Sequence, residues 1–339
     1  MPRTVLLREW LEKHFSHHST DQNFVFAPAS ADASFRRYFR VSLPDGSTRI
    51  VMDAPPEHED CRPFLKVAAL FREAGVHVPE VYAEDLAQGF LLLSDLGNTT
   101  YLDALNDNSA PRFYRDANAA LIDIQRTSRP GILPEYDRAL LSRELELFPE
   151  WFIQRHLGIT LDEIQNATLR GIFATILANN LAQPQVFVHR DYHSRNLMLI
   201  ESDYPTNPGI IDFQDAVYGP ITYDLVSLYR DAYISWEEKD ELDWVIRYWE
   251  KARQAGLPVH ADFHDFYRDY EWMGAQRQIK VLGIFARLCH RDGKEAYLKD
   301  MPRVMAYLRR TCERYLELRP LARLLDQLEN RSNDVGYTF

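Results

Sequence analysis

Two short apolar runs carrying polar residues, VFVHRDYHSRNLMLI at 186–200 and GIIDFQDA at 209–216, interrupt a chain that otherwise reads as helix on both sides. Long helical patterns fill 138–183 before them and 236–330 after them. Runs of this length, bounded by turn-forming residues, read as strands joined by loops. Their polar residues do not belong there for packing alone, because an unpaired carboxylate in an apolar strand such as GIID is costly to bury. The interval 186–215 therefore differs in kind from the helical sequence on either side.

The first ~95 residues have a different character, mixed and strand-rich. Leu6 to Phe15 has the spacing of an amphipathic helix, and Asn23 to Ala27 reads as a short strand. Arg36 to Leu43 and Arg49 to Ala54 read as a hairpin closed by the turn Pro44-Asp45-Gly46. Pro63 opens a helix with Phe64, Val67, Ala68 and Phe71 on one face and Gly75 at its C-cap. EVYAED and GFLLLSDL give two further strands. Beyond Gly97, Asn98-Thr99-Thr100 and Ser109-Ala110-Pro111 open helices, the second with Phe113, Ala117, Leu121 and Ile124 in line. The expected organisation is α+β: a small β-rich lobe at 1–96 and a large, mostly helical lobe at 97–339.

Bulk properties narrow the function. A chain of 339 residues exceeds a comfortable single core. Its formal charge of -11 and the lack of a dense Lys/Arg stripe argue against a nucleic-acid partner. No stretch approaches the ~18 consecutive apolar residues of a membrane span. The opening MPRTVLLREWLEKHF is broken by Arg8, Glu9, Glu12 and Lys13 and does not read as a signal peptide. Three cysteines without a paired motif fit a reducing compartment and no structural zinc. The cytoplasm is the expected location, and a monomer is expected.

The stretch His189 to Asn196 has the form H-R-D-x-x-x-x-N, and Asp212 follows in an apolar strand. Phosphoryl transfer needs a positioned nucleophile and neutralised phosphates more than covalent help. Asp191 can accept a hydroxyl proton, while Asn196 and Asp212 supply the few hard oxygen ligands that Mg²⁺ takes.

HRDYHSRN followed by IDFQDAVYGPITYDLVSL resembles the aminoglycoside phosphotransferase and choline kinase superfamily. That resemblance implies a protein-kinase-like two-lobed fold, ATP and Mg²⁺ as cofactors, Asp191 as catalytic base, and Asn196 and Asp212 as metal ligands. It also implies that Asp224 and His189 brace the catalytic loop. His193 stands where protein kinases usually carry Lys and small-molecule kinases usually carry His, and it is either a substrate-side group or a plain loop histidine. Gly219-Pro220 and Asp224-Leu225 follow Asp212 closely, which leaves little room for a peptide-docking segment.

The N-terminal part departs from the family pattern. The stretch from Ser30 to Arg37 lacks the phosphate-loop glycines, so Ser34 and the backbone around it are the candidate cradle. The family's strand lysine has no counterpart, its position being held by Met52 or Asp53; Arg36, Arg37 or Arg49 is then expected to supply the charge. Leu91 to Gly97 resembles the hinge, with the backbone of Asp95 and Leu96 meeting the adenine edge.

A narrower resemblance, carried by DASFRRYFRV, IVMDAPPEHEDCRPF, HRDYHSRNLM and WMGAQRQIKVLGIFARLCHRDGKEAYLKDMPR, is to bacterial anomeric sugar kinases. It implies N-acetylmuramate or N-acetylglucosamine as the substrate, phosphorylated at C1 in cell-wall recycling. Arg277, Lys280 and Arg287 lie close to helical spacing, and a basic group among them would suit a carboxylate, with Trp272 or a nearby Tyr against a sugar face. The alternatives are a kinase of another small alcohol, such as an aminoglycoside, choline or an amino alcohol, and a nucleotide-binding pseudokinase.

Overall fold

A computed structural model describes residues 3–15, 24–30, 35–200 and 207–329. Two compact units emerge: residues 1–104 together with 196–215, and residues 105–195 together with 216–339.

The first unit is built on an antiparallel sheet of β1 (Val25–Ser30), β2 (Arg37–Ser42), β3 (Thr48–Asp53), β4 (Val81–Asp85) and β5 (Phe90–Ser94), in the order β1-β2-β3-β5-β4. The hairpin expected at 36–54 is β2–β3, with Phe39 opposite Val51 and Arg37 opposite Asp53. Successive strand residues face opposite sides. Phe39, Val41, Val51, Phe90 and Leu92 accordingly form one core with Leu7, Trp10 and Leu11 of the Arg3–Phe15 helix. Met52, Leu91 and Leu93, which alternate with these, are buried as well, so β3 and β5 are covered on both faces.

The Arg62–Glu73 helix ends as its sequence dictates. Gly75 has φ +83°, and the N–H groups of Gly75 and Val76 bond back to Arg72 O and Phe71 O at 2.9 and 3.2 Å. Those two bonds satisfy carbonyls that the last turn leaves open. Gly89, between β4 and β5, is required for a different reason: a Cβ there would lie 1.8 Å from Ala54 O.

In the second unit the Phe263–Asp292 helix is the spine, buried almost continuously from Tyr270 to Ala286. It packs against the Glu163–Ala182, Tyr223–Tyr229 and Met301–Arg314 helices and the π-helical turns Phe148–His156. Gly283 lets the Leu147 backbone approach; a Cβ there would sit 2.5 Å from Leu147 C. Arg230 is fully buried but satisfied by Glu241 at 2.7 Å, Glu271 at 3.0 Å and Thr311 at 2.9 Å. A two-stranded ribbon, Gln185–Val188 against Val217–Pro220, delivers the chain into His189. Among the described residues no helix is long and apolar enough to cross a membrane.

Candidate active site

Among the described residues, the non-glycine positions with positive φ are Arg190 at +77° and Asp212 at +63°. Backbone held in this region costs about 1–3 kcal/mol per residue and persists only where surrounding contacts enforce it. Both residues lie in the motif stretch that the sequence singles out.

The enforcing contacts at Arg190 come from buried carboxylates. Asp224, fully buried, accepts the backbone N–H of His189 at 2.6 Å and of Arg190 at 2.9 Å. Asp231 does the same further along, accepting Ser194 N–H at 2.9 Å and Ser194 Oγ–H at 2.5 Å. His189 is itself buried, and its Nδ1 accepts the Asp191 N–H at 3.2 Å. Tyr192 anchors the loop to the Ala110–Arg126 helix through its hydroxyl, which donates to Ala117 O at 2.9 Å. The loop from 189 to 195 is thus tied down at both ends and in the middle.

Glu144, near the end of the Arg138–Leu145 helix, is a hub beneath this loop. It accepts from Arg190 Nη2 at 2.6 Å and from Gln276 Nε2 at 3.3 Å, pairs with Lys280 Nζ at 2.9 Å, and also takes the Tyr136 hydroxyl. Lys280 reaches Tyr223 Oη at 2.9 Å as well. Burial pushes the Glu144 carboxyl up, but Lys280 and Arg190 outweigh it and hold the pKa below the usual carboxylate value. The same holds for Asp191: burial raises it, whereas Lys280, His193, Arg277 and His189 prevail and keep it lowered. Asp191 is therefore ionised at neutral pH and able to accept a proton. Burial is the main influence on His193, pulling its pKa down against Asp231 and Asp191; its buried Nδ1 has no hydrogen-bond partner among the described residues.

In the first unit, Leu197–Met198 pairs with Gly209–Ile210, and Ile211 N–H donates to Asn196 O at 3.1 Å. Phe213 is buried with its ring 4.8 Å from Phe64 and 5.7 Å from Phe71. The residue before it, Asp212, is left beside Asn196, with Asn196 Nδ2 to Asp212 Oδ2 at 3.3 Å; Gln214 Nε2 donates to the other oxygen at 2.8 Å. A carboxylate and a carboxamide side by side are a donor set that fits Mg²⁺, which takes few protein ligands and fills its shell with water and phosphate oxygens. Among the described residues no group of three or more His, Cys, Asp or Glu converges in the manner of a zinc site.

The other expected site residues fall as follows. Ser34 lies outside the described residues. Arg36 is 3.8 Å from Glu59. Asp53, one of the two residues expected at the position of the missing lysine, is fully buried between two guanidinium groups, Arg3 (Nε 2.9 Å) and Arg37 (Nε 3.1 Å). Asp95 is bound by Arg40 through Nε at 2.5 Å and Nη2 at 3.0 Å, and Leu96 is buried. Arg277 is buried within electrostatic reach of Asp191. Arg287, ten residues and about 15 Å further along the same helix, has Arg291, Asp292 and Glu150 as its charged neighbours. Trp272 is a core residue, 2% exposed, and is not available to a sugar face.

Sequence reasoning missed Glu144 and Asp231. Glu144 sits in an ordinary-looking charged helix, and the residues it holds are 46 and 132 positions away.

Residues 25–263 match the model of the phosphotransferase enzyme family. The chain belongs to that family. It is 49% identical to the N-acetylmuramate/N-acetylglucosamine kinase of Neisseria meningitidis serogroup B, over 100% of both chains. It is 53% identical to the kinase of the same name from Pseudomonas aeruginosa, over 89% of this chain and 88% of the relative. Among solved structures, an ethanolamine kinase of Plasmodium vivax superposes with a TM-score of 0.64 at 10% identity, covering 90% of this chain and 88% of the other. The fold of this phosphotransferase is accordingly the protein-kinase-like α+β fold, and the chain is a small-molecule kinase.

Proposed function

We propose that this phosphotransferase moves the γ-phosphoryl group of ATP to the anomeric hydroxyl of an N-acetylated amino sugar, N-acetylmuramate or N-acetylglucosamine, in the cytoplasm during cell-wall recycling. The observation that carries this reading is the 49% identity, end to end, to a kinase of that name.

The residues supply the matching chemistry. Asp191, ionised and held by a pinned loop, accepts the proton of the sugar hydroxyl as its oxygen bonds to the γ-phosphorus and the bond to ADP breaks. An anomeric hydroxyl is more acidic than an ordinary alcohol, so a carboxylate of lowered pKa is base enough. Asn196 and Asp212 are the residues to hold magnesium, which when bound would neutralise phosphate charge. Asp224, Asp231 and Glu144 keep Asp191 in place. His193, whose buried Nδ1 has no hydrogen-bond partner among the described residues, is the histidine assigned to the acceptor side in this reading. Arg37 and Arg3 flank Asp53 with one charge in excess, and that excess replaces the family lysine toward the nucleotide. The lobe at 1–96 handles the nucleotide, and the lobe at 97–339 carries the proposed base, the metal-holding residues and the acceptor side.

The test is a transfer assay with Mg·ATP against N-acetylmuramate, N-acetylglucosamine, kanamycin and choline, with the product read by NMR. A C1-phosphorylated amino sugar is expected. Phosphorylation of kanamycin or choline alone would overturn the assignment. Asp191→Asn should abolish turnover while nucleotide binding persists; loss of both together would make Asp191 structural.

A further inference from the structure

Every other buried cation around the catalytic loop has a counter-charge. Arg190 and Lys280 share Glu144, and Arg230 is held by Glu241 and Glu271. Arg277 does not. It is 5% exposed, and no other described residue gives its guanidinium a hydrogen bond or an ion pair. A guanidinium stays charged at any physiological pH and carries five N–H donors, and donors on a largely buried side chain that lack an acceptor leave hydrogen-bonding capacity unused. Such a group is retained where an anion arrives to complete it.

Position narrows which anion. Arg277 lies on the Phe263–Asp292 helix between two residues that reach beneath the catalytic loop. Gln276 bonds Glu144 at 3.3 Å, and Lys280 bonds both Glu144 and Tyr223 at 2.9 Å. Glu144 in turn holds Arg190, the neighbour of Asp191. Two turns along the helix, the Phe285 ring lies 6.3 Å from Tyr233, whose ring is 5.5 Å from His193. The guanidinium acts electrostatically on Asp191, His193, Asp224 and Tyr233, which puts its charge at the catalytic loop near an aromatic ring suited to a sugar.

We infer that Arg277 is the anion subsite of the acceptor pocket: it pairs with a carboxylate carried by the amino sugar and so sets the preference for an acidic sugar over its neutral counterpart. This rests on the amino-sugar reading above. N-acetylmuramate carries a lactyl carboxylate that N-acetylglucosamine lacks, and a fork of parallel N–H donors matches that carboxylate. The other source of negative charge at this locus is the phosphoryl group in transit, and the experiment separates the two.

Kinetics are measured for N-acetylmuramate, its neutral carboxamide and N-acetylglucosamine, with the wild type, Arg277→Met and Arg277→Lys. The wild-type protein should prefer the acid to the amide by about 10- to 100-fold in kcat/KM, chiefly through KM, the span expected of one charge-assisted pair. Arg277→Met should erase that preference, and Arg277→Lys should keep part of it. The acid-to-amide comparison in the wild type needs no variant, so it stands even if Arg277→Met folds poorly. Three results overturn the inference: no preference for the acid in the wild type, a preference that survives in Arg277→Met, or an equal loss for acid, amide and N-acetylglucosamine, which would place the guanidinium on the phosphoryl group. If the wild type phosphorylates none of the three sugars, the amino-sugar reading itself fails, which is a different signature.

Discussion

Replacing Glu144 with Gln tests whether the buried hub holds the catalytic loop. The substitution keeps the shape and removes the charge shared by Arg190 and Lys280, whose side chains are 20% and 9% exposed against 7% for Glu144. Breaking a buried pair by removing one partner costs about 3–5 kcal/mol, because the orphaned charge stays buried. An amide oxygen still accepts from one cation and Arg190 keeps some solvent, so the lower end, about 3 kcal/mol, is expected. For a unit of this size that lowers Tm by about 6–12 °C, read by circular dichroism. Arg190 also holds a left-handed backbone immediately before Asp191, so kcat should fall by about 100-fold for an ångström-scale misplacement of the base. Adding Lys280→Met removes one orphaned cation and should restore roughly 1–2 kcal/mol of stability without restoring kcat, since Lys280 also lowers the Asp191 pKa. A Tm shift below about 1 °C together with an unchanged kcat would refute the reasoning.

Three other outcomes are expected. Burial raises the Asp224 carboxyl to about 7, with Asp191 adding to it and two backbone N–H donors and Arg277 opposing; kcat should therefore rise with pH through about 7 as the two-acceptor form is regained. The stability contribution of Asp224 runs the other way, present below its unfolded value and lost as pH rises through about 7; a kcat profile flat between pH 6 and pH 8, or a limb that persists in Asp224→Asn, would exclude this role. Gly283→Ala puts a methyl 2.5 Å from Leu147 C, part of a backbone that cannot swing aside, and should cost about 1–3 kcal/mol by thermal melting; an unchanged Tm would contradict it. Asp212→Ala should weaken binding of Mg·ATP far more than of metal-free ATP in calorimetry, and equal affinities would remove its metal role.

Local signals were legible wherever the chemistry is local. The hairpin at 36–54 follows from its Pro-Asp-Gly turn, and the Arg62–Glu73 helix ends where Gly75 permits a left-handed residue. Asp191, Asn196 and Asp212 stand out because the motif that holds them is read from fixed offsets in the chain. The basic helix was readable only as spacing. Arg277, Lys280 and Arg287 form one pattern in sequence, yet Lys280 became a buried ion-pair partner, Arg277 was left without an ion-pair contact but within electrostatic reach of Asp191, and Arg287 went to a different neighbourhood.

The sequence by itself determined the α+β class and carried the Asp191, Asn196 and Asp212 motif, because turn chemistry, periodicity and motif spacing act over a few residues. The tertiary structure decided which charges meet. Glu144 beneath Arg190, Asp231 on Ser194 and Arg3 with Arg37 around Asp53 join residues far apart in sequence. A carboxylate's environment depends on what packing brings to it, and no local pattern along the chain records that.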